Sequence, residues 1–290
     1  MKNILTIVIV SALVSFGTYK ITSKDNDNNV TQKESAYDRV LRTGTLRCGY
    51  GMWPPSMLVK DVNSGELSGA IYDIIEEMGK NLNIKIEWAE ETGWGTWPEG
   101  LRSGRFDAFC ASAYQTASRG RVVRFTSPLF YNAVQAYARY DDARFDNGID
   151  QLNSPEFKLS TMDGEISAQI ASKFFPKAKI VSVPQTSEFD RLLLNVSSGK
   201  ADIVFNEPSL MNDFITKNPG LLKRVTKKPF QLFSVSFAVD INEANLAEMM
   251  DAALTEMQNN GIIEQILTLH HLDSDTFIRL AHPYQSENRK

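Results

Sequence analysis

Apolar positions recur with two periods along this chain: every second residue in short runs, and every third or fourth in longer ones. This predicts strands interleaved with amphipathic helices. Residues 46–50, with Val40 and Leu41 just ahead, read as a first strand, and Gly51-Met52-Trp53-Pro54-Pro55 ends it because proline cannot continue a ladder. Val62 to Gly65 reads as a turn. Ile71, Ile74, Ile75, Met78 and Leu82 then share one helical face, and a strand at 84–88 follows. Thr96 with Glu99 makes a capping box for a short helix with Pro98 in its first turn and Leu101 facing inward. Ser103-Gly104-Arg105 ends that helix and leads into a buried strand at 106–110. Strand, helix, strand, helix, strand is the order of a parallel sheet with crossover helices.

Small and hydroxylic residues fill 111–118, and Arg119, Arg121 and Arg124 come next. A guanidinium on the loop leaving a buried strand suits an anion, because its fork of donors matches a carboxylate. A long strand spans 132–140, and the charged stretch Asp141 to Arg144 reads as a crossover into a second domain. The pattern then restarts. A strand at 158–161, a turn at Met162-Asp163-Gly164 and a helix carrying Ile166, Ile170 and Phe174 precede a strand at 179–183. A helix opened by Ser187 leads to a strand at 201–205, whose polar exit is Asn206-Glu207-Pro208. A helix through Phe214 and Ile215, a returning strand at 232–239 and two apolar-faced helices around Met250 and Ile266 complete the pattern. Ser103-Gly104-Arg105-Phe106-Asp107 is echoed by Ser198-Gly199-Lys200-Ala201-Asp202, each a helix end delivering a glycine turn into a strand. Two lobes of like architecture account for the echo.

A length of 290 residues suits two compact domains or one large one, and 42% hydrophobic with 23% charged residues is ordinary for a soluble globular protein. The 31 basic and 35 acidic residues give a net charge of -4 without a basic run, so nucleic acid is not an expected partner. Lys2 and the 14 apolar-rich residues from Ile4 to Gly17 match a secretory leader and are short of a membrane span of about 20 residues. A signal peptide or signal anchor at 1–21 and a polar spacer at 22–36 are expected, and no cysteine before Cys48 is available for lipid attachment. Cys48 and Cys110 both lie in strand-like runs, and either a disulfide between neighbouring strands or two separate buried thiols fits. His270 and His271 are adjacent on a helix and point apart, and His282 lies in the tail, so no metal or cofactor site is expected.

In order and spacing these residues resemble the family 3 extracellular solute-binding proteins, the polar amino-acid receptors of ABC importers. The likeness is carried by Leu46-Arg47-Cys48-Gly49, Gly65 to Gly69, Gly104 to Ala108, Ser118-Arg119 ahead of Val123 to Pro128, and Met257 to Gly261. It covers the chain from about Tyr37 to Leu272. It implies an α/β, two-lobed type II periplasmic-binding-protein fold. Each lobe is a mostly parallel sheet flanked by helices, and two crossover strands join them. Lobe 1 would comprise 37–138 and 237–290, and lobe 2 would comprise 139–236.

The resemblance also implies roles. Arg119 matches the position that clamps a ligand α-carboxylate, with Ser112 and Tyr114 sharing it, while Arg121 and Arg124 remain solvated. Gly164, Glu165 and Ile166 would add main-chain donors at a helix start. The acid that holds an α-amino group is Glu207 when counted from Asp202 and falls on Asn206 when counted back from Pro208. Trp53, Trp94, Trp97 and Tyr114 are the candidate aromatic walls. Ile71 stands where the family often carries an acid, so that position does not select a basic side chain. The expectation is a monomeric, extracytoplasmic or periplasmic receptor that closes on a small carboxylate-bearing ligand, an amino acid, for an ABC permease, with no enzymatic activity. Two alternatives are an exported dehydratase resembling cyclohexadienyl dehydratase, with Glu207 as proton donor, and a membrane-tethered sensor or adaptor.

Overall fold

The computed structural model describes residues 34–61, 63–272 and 276–280; the leader expected at 1–21, the spacer through residue 33 and His282 lie outside them. The described chain opens with α1 (Ala36–Thr43), so Val40 and Leu41 do not lead into a strand. The reason is spacing: Asp38, Arg39 and Arg42 surround Val40, which alone in this helix is buried. There follow β1 (Thr45–Tyr50), the hairpin β2 (Leu58–Asp61) and β3 (Glu66–Ser68), α2 (Ala70–Asn81), β4 (Lys85–Glu91), α3 (Trp97–Ser103) and β5 (Ala108–Tyr114).

The expected capping box at Thr96 does not form. Thr96 already sits close to helical dihedrals, and its hydroxyl lies 3.3 Å from the Gly93 carbonyl oxygen instead of capping α3. The strand expected to stop at 110 runs on to Tyr114. Every β5 residue is buried, as in a strand covered on both faces, where a hydroxyl does not end the ladder. Ser112 and Tyr114 are therefore strand residues with Cys110 on one face, while Phe109, Ala111 and Ala113 face α3.

After β6 (Val123–Phe125) comes β7 (Phe130–Arg139), then β8 (Lys158–Met162), α4 (Ile166–Phe174), β9 (Lys179–Val183), α5 (Asp190–Ser197), β10 (Ile203–Asn206), α6 (Pro208–Lys217) and β11 (Leu222–Arg224). The chain returns through β12 (Gln231–Asp240) and ends in α7 (Ala244–Asn259), α8 (Ile262–Leu269) and β13 (Phe277–Ile278). Ser187 does not open α5; it closes a turn on the Pro184 carbonyl oxygen, and Phe189 stands at the helix start. His270 and His271 fall beyond the end of α8, not on it, and His270 Nε2 reaches Asp73 at 2.5 Å.

The strands run β4-β1-β5-β12-β7-β10-β8-β9 across the molecule. β1 is parallel to β4 and β5, and β8 is parallel to β9 and β10, so each end of this array is a small parallel sheet with crossover helices. Between them β7 is shared. Its residues Phe130–Val134 pair with β12, while Gln135–Ala138 pair with β10. The crossover is thus the strand β7 itself, not the charged stretch at 141–144, and Val225 and Phe230 bond back to Ala136 and Val134 on the second crossing. This is the two-lobed type II arrangement.

Both halves of the sequence echo prove structural. Gly104 and Gly199 each take a left-handed conformation, at φ 74° and 76°, which L side chains rarely adopt. In each lobe the aspartate three residues later clamps the start of a neighbouring strand: Asp107 accepts from the Arg47 amide at 2.8 Å, and Asp202 from the Lys158 amide at 2.8 Å. Cys48 and Cys110, on the neighbouring strands β1 and β5, are joined in a disulfide with a Cα separation of 5.5 Å. Among the described residues no helix is long and apolar enough to cross a membrane.

Candidate functional site

Four parallel strands end at one place. Trp53 follows β1, Arg119 follows β5, Glu165 and Ile166 follow β8, and Glu207 follows β10. In open α/β sheets the carboxyl ends of strands form the binding crevice, and here the ends of two such sheets face each other. Trp53, Trp94, Ser112, Tyr114, Arg119, Glu165, Ile166 and Glu207 line one cavity of about 20 Å³, room for on the order of one water.

On the first lobe, the 3-10 turn at Arg119–Arg121 carries Arg119 inward, only 9% exposed, whereas Arg121 and Arg124 are exposed. Its guanidinium donates from Nη1 to the Tyr114 carbonyl oxygen at 3.3 Å, and its Cζ lies 5.5 Å from the centre of the Trp97 ring. Trp97 in turn stacks on Phe109 with centroids 4.6 Å apart. Burial lowers the Arg119 pKa to about 10, opposed by the negative charge of Glu165, so the group stays cationic at neutral pH. Ser112 Oγ, on a side chain 7% exposed, faces this cavity without a hydrogen-bond partner. A buried, unpartnered hydroxyl beside a cation is suited to meet an anionic oxygen, because its donor is unused. Tyr114 is held by the Asn132 amide on its hydroxyl and by stacking on Phe233.

Trp53 is fixed by a pair of backbone bonds with Met57, at 2.9 and 3.0 Å, and by the Ser56 hydroxyl on its carbonyl oxygen. Its indole Nε1 donates to Glu207 Oε2 at 2.5 Å. Glu207, at the N-cap of α6 and 2% exposed, has its pKa pushed up to about 8 by burial, with the Trp53 bond pulling the other way. Glu165, at the N-cap of α4 and 4% exposed, turns its carboxylate onto the Ser167 amide at 2.8 Å and the Ser167 hydroxyl. Burial raises its pKa, and the Ser167 bonds and the charge of Arg119 oppose the rise.

The lobes touch directly around this cavity. Arg119 Nη2 donates to the Gly164 carbonyl oxygen at 3.2 Å, and the Gly95 amide donates to Gln185 Oε1 at 2.9 Å. Trp53 meets Phe189 edge to face at 5.2 Å. Gly164 packs so closely on Gly95 that a Cβ there would lie 2.3 Å from the Gly95 Cα, and its φ of +75° excludes most side chains as well.

The structure therefore brings together most of the residues singled out in the sequence and sets three behind them. Trp97 backs Arg119, Gly164 contributes its carbonyl as an acceptor, and Asn206 accepts the Glu207 amide at 2.7 Å while its own Nδ2 lies buried without a partner. Of the two ways of counting, Glu207 lines the cavity. The main-chain donor of Ser167 at the start of α4 is taken by Glu165. Sequence reasoning misses Gln185 and Phe189, which carry no motif and whose role depends on how the lobes meet.

Comparison with known proteins matches residues 46–271 to the bacterial extracellular solute-binding proteins, family 3. A probable amino-acid ABC transporter-binding protein of Haemophilus influenzae is 22% identical over 269 residues, covering 91% of this chain and 95% of its own length. A probable histidine-binding protein of Campylobacter jejuni is 23% identical over 250 residues, covering 84% of this chain and 92% of its own. Among solved structures, an ancestral amino acid-binding protein described as a precursor of cyclohexadienyl dehydratase superposes with a TM-score of 0.69. It is 25% identical and covers 81% of this chain and 99% of its own.

Proposed function

This chain belongs to the bacterial extracellular solute-binding proteins of family 3, and we propose that it captures a free amino acid between its lobes and presents it, as a monomer, to an ABC permease. The observation that carries this reading is one cavity holding Arg119 from the first lobe and Glu207 from the second. A zwitterion satisfies both: its carboxylate meets Arg119 and Ser112, and its ammonium meets Glu207, whose carboxyl gives up the proton it holds in the ligand-free cavity. Trp53, Trp94 and Tyr114 wall the remainder and exclude water, which strengthens both ion pairs.

Hinge closure follows from the same geometry. Periplasmic binding proteins close by rotation about a few hinge residues, here placed where β7 leaves one sheet for the other. A ligand shifts the equilibrium toward the closed form only through contacts it makes better there, and groups from both lobes supply them. Because the closed cavity is small, the lobes part to admit the solute, and the bond Arg119 makes to Gly164 is exchanged for bonds to ligand. Replacing Arg119 by Ala is expected to abolish binding in titration calorimetry; affinity like that of the unmodified protein would overturn the assignment.

The proton that Glu207 retains near neutral pH favours one other reading, an exported dehydratase in which this group is a general acid. Its weakness is the company Glu207 keeps: neither histidine nor cysteine lines the described cavity, and Glu165 is already engaged with Ser167. Release of product from prephenate or arogenate would establish that reading over binding alone. We further propose a location outside the cytoplasm, attached or free according to whether the leader is cleaved, which mass spectrometry of the mature N-terminus decides.

A further inference from the structure

The ionisable acidic and basic side chains lining the cavity are Arg119, Glu165 and Glu207, one cation against two carboxyl groups. Each is more than nine-tenths buried, at 9%, 4% and 2% exposure. A carboxyl in such a place keeps its proton when no cation faces it, since water cannot solvate the charge, and a ligand cation set against it takes the place of that proton. Arg119 can hold at most one of the two carboxyls ionised, and once it is given to a ligand carboxylate it holds neither, so each is left as a place for a ligand cation. One cation and two carboxyls thus pair with one negative and two positive groups of a ligand, a surplus of one positive charge.

Glu165 has a second effect. Its carboxylate caps α4 through the Ser167 amide and hydroxyl, so that helix start presents an anion to the cavity where a bare one would present donors. A ligand carboxylate is thereby confined to the Arg119 and Ser112 side, where the Ser112 hydroxyl is free to donate. The wall opposite, with Glu165 and Glu207 on neighbouring strand ends of one lobe, is a place for cations.

We propose that Glu165 is a specificity-determining residue and that the cleft selects solutes carrying one more positive than negative charge, a diamino or guanidino acid in the first instance. This rests on the receptor reading above in assigning the cleft as the ligand site. The amine sits at Glu207, the carboxylate at Arg119, and the side-chain cation reaches Glu165 past Trp94 and Ile166.

Titration calorimetry with isosteric pairs tests it on the intact protein. Arginine is expected to bind about ten- to a hundredfold more tightly than citrulline, and lysine than norleucine, the span that a hydrogen bond to a charged group confers. In Glu165→Gln, whose amide oxygen can still accept from Ser167, the ratio within each pair is expected to fall to near one, with thermal denaturation confirming the fold. Citrulline or norleucine binding as tightly as its charged partner in the unmodified protein overturns the charge inference and leaves the amino-acid receptor standing. Agmatine, which has two positive charges and no carboxylate, binding as tightly as arginine overturns the carboxylate clamp and with it the surplus of a single positive charge. Failure of every compound to bind overturns both.

Discussion

Closing the cleft buries Glu207 beside Trp53, and this has a cost that depends on pH. In the closed form the carboxyl holds its proton up to about pH 8, whereas its ordinary value is 4.5. When the lobes part and water reaches the group, the ordinary value returns. The closed form therefore binds more protons across this window, and its stability relative to the open form falls as pH rises from 4.5 to about 8. Each pH unit in the window costs the closed form about 1.4 kcal/mol. At pH 7 the penalty is about 3 kcal/mol, a factor of roughly a few hundred in the closed-to-open ratio, and above pH 8 it levels off near 5 kcal/mol.

Glu165 faces the same cavity, is raised in the same direction and adds to the slope, while Arg119 stays charged throughout. A substitution is needed to separate the two carboxyls. Glu207→Gln keeps the acceptor for the Trp53 indole and removes the titration. Small-angle scattering of the ligand-free protein from about pH 5 to 9 reads the balance directly, since the open form has the larger radius of gyration. The unmodified protein is expected to expand as pH rises through this range, and Glu207→Gln to remain compact over most of it. A radius independent of pH, or the same expansion in Glu207→Gln, would refute the reasoning.

Three other outcomes are expected. Gly164→Ala places a methyl against the Gly95 backbone and demands φ near +75°, so it should cost about 1 to 2 kcal/mol in folding and lose most ligand affinity by blocking closure; unaltered affinity would show that the lobes need not approach so closely. Asp107→Ala removes the acceptor for Arg39, Arg47 and the Arg47 amide and should cost about 3 to 5 kcal/mol in urea unfolding, more than Asp202→Ala, whose carboxylate is less buried; a reversed order would contradict the clamp assigned to Asp107. Reducing the Cys48–Cys110 bond, which closes a loop of 62 residues, should lower stability by about 4 kcal/mol, and an unchanged urea midpoint would show that the bond contributes nothing.

The alternation of strand and helix is legible in the sequence because each element's apolar spacing is dictated by a face buried in its own lobe. The periods around Ile71 to Met78 and Leu192 to Val196 survive as buried stripes of α2 and α5. So does the echo of Gly104 and Asp107 in Gly199 and Asp202, since both turns solve the same local problem. The pattern misleads where burial overrides local chemistry: β5 continues through Ser112 because both its faces are covered, and Thr96 cannot cap because its backbone is already turned. The disulfide cannot be chosen over two thiols until β1 and β5 are seen to be neighbours.

The site divides along the same line. Arg119 and Glu207 are visible as polar exits from buried strands, a feature of one segment at a time. Gln185 and Phe189 meet Gly95 and Trp53 only when two lobes close, so no pattern within a segment can announce them. Glu165 combines both situations. Its position at a helix start suggests backbone donors for an anion, and the geometry inverts that sign, because the side chain folds onto Ser167 and puts a carboxylate where the donors would have been. One rotamer thus changes the charge that the cleft asks of its ligand, and it is the ratio between arginine and citrulline that reads it out.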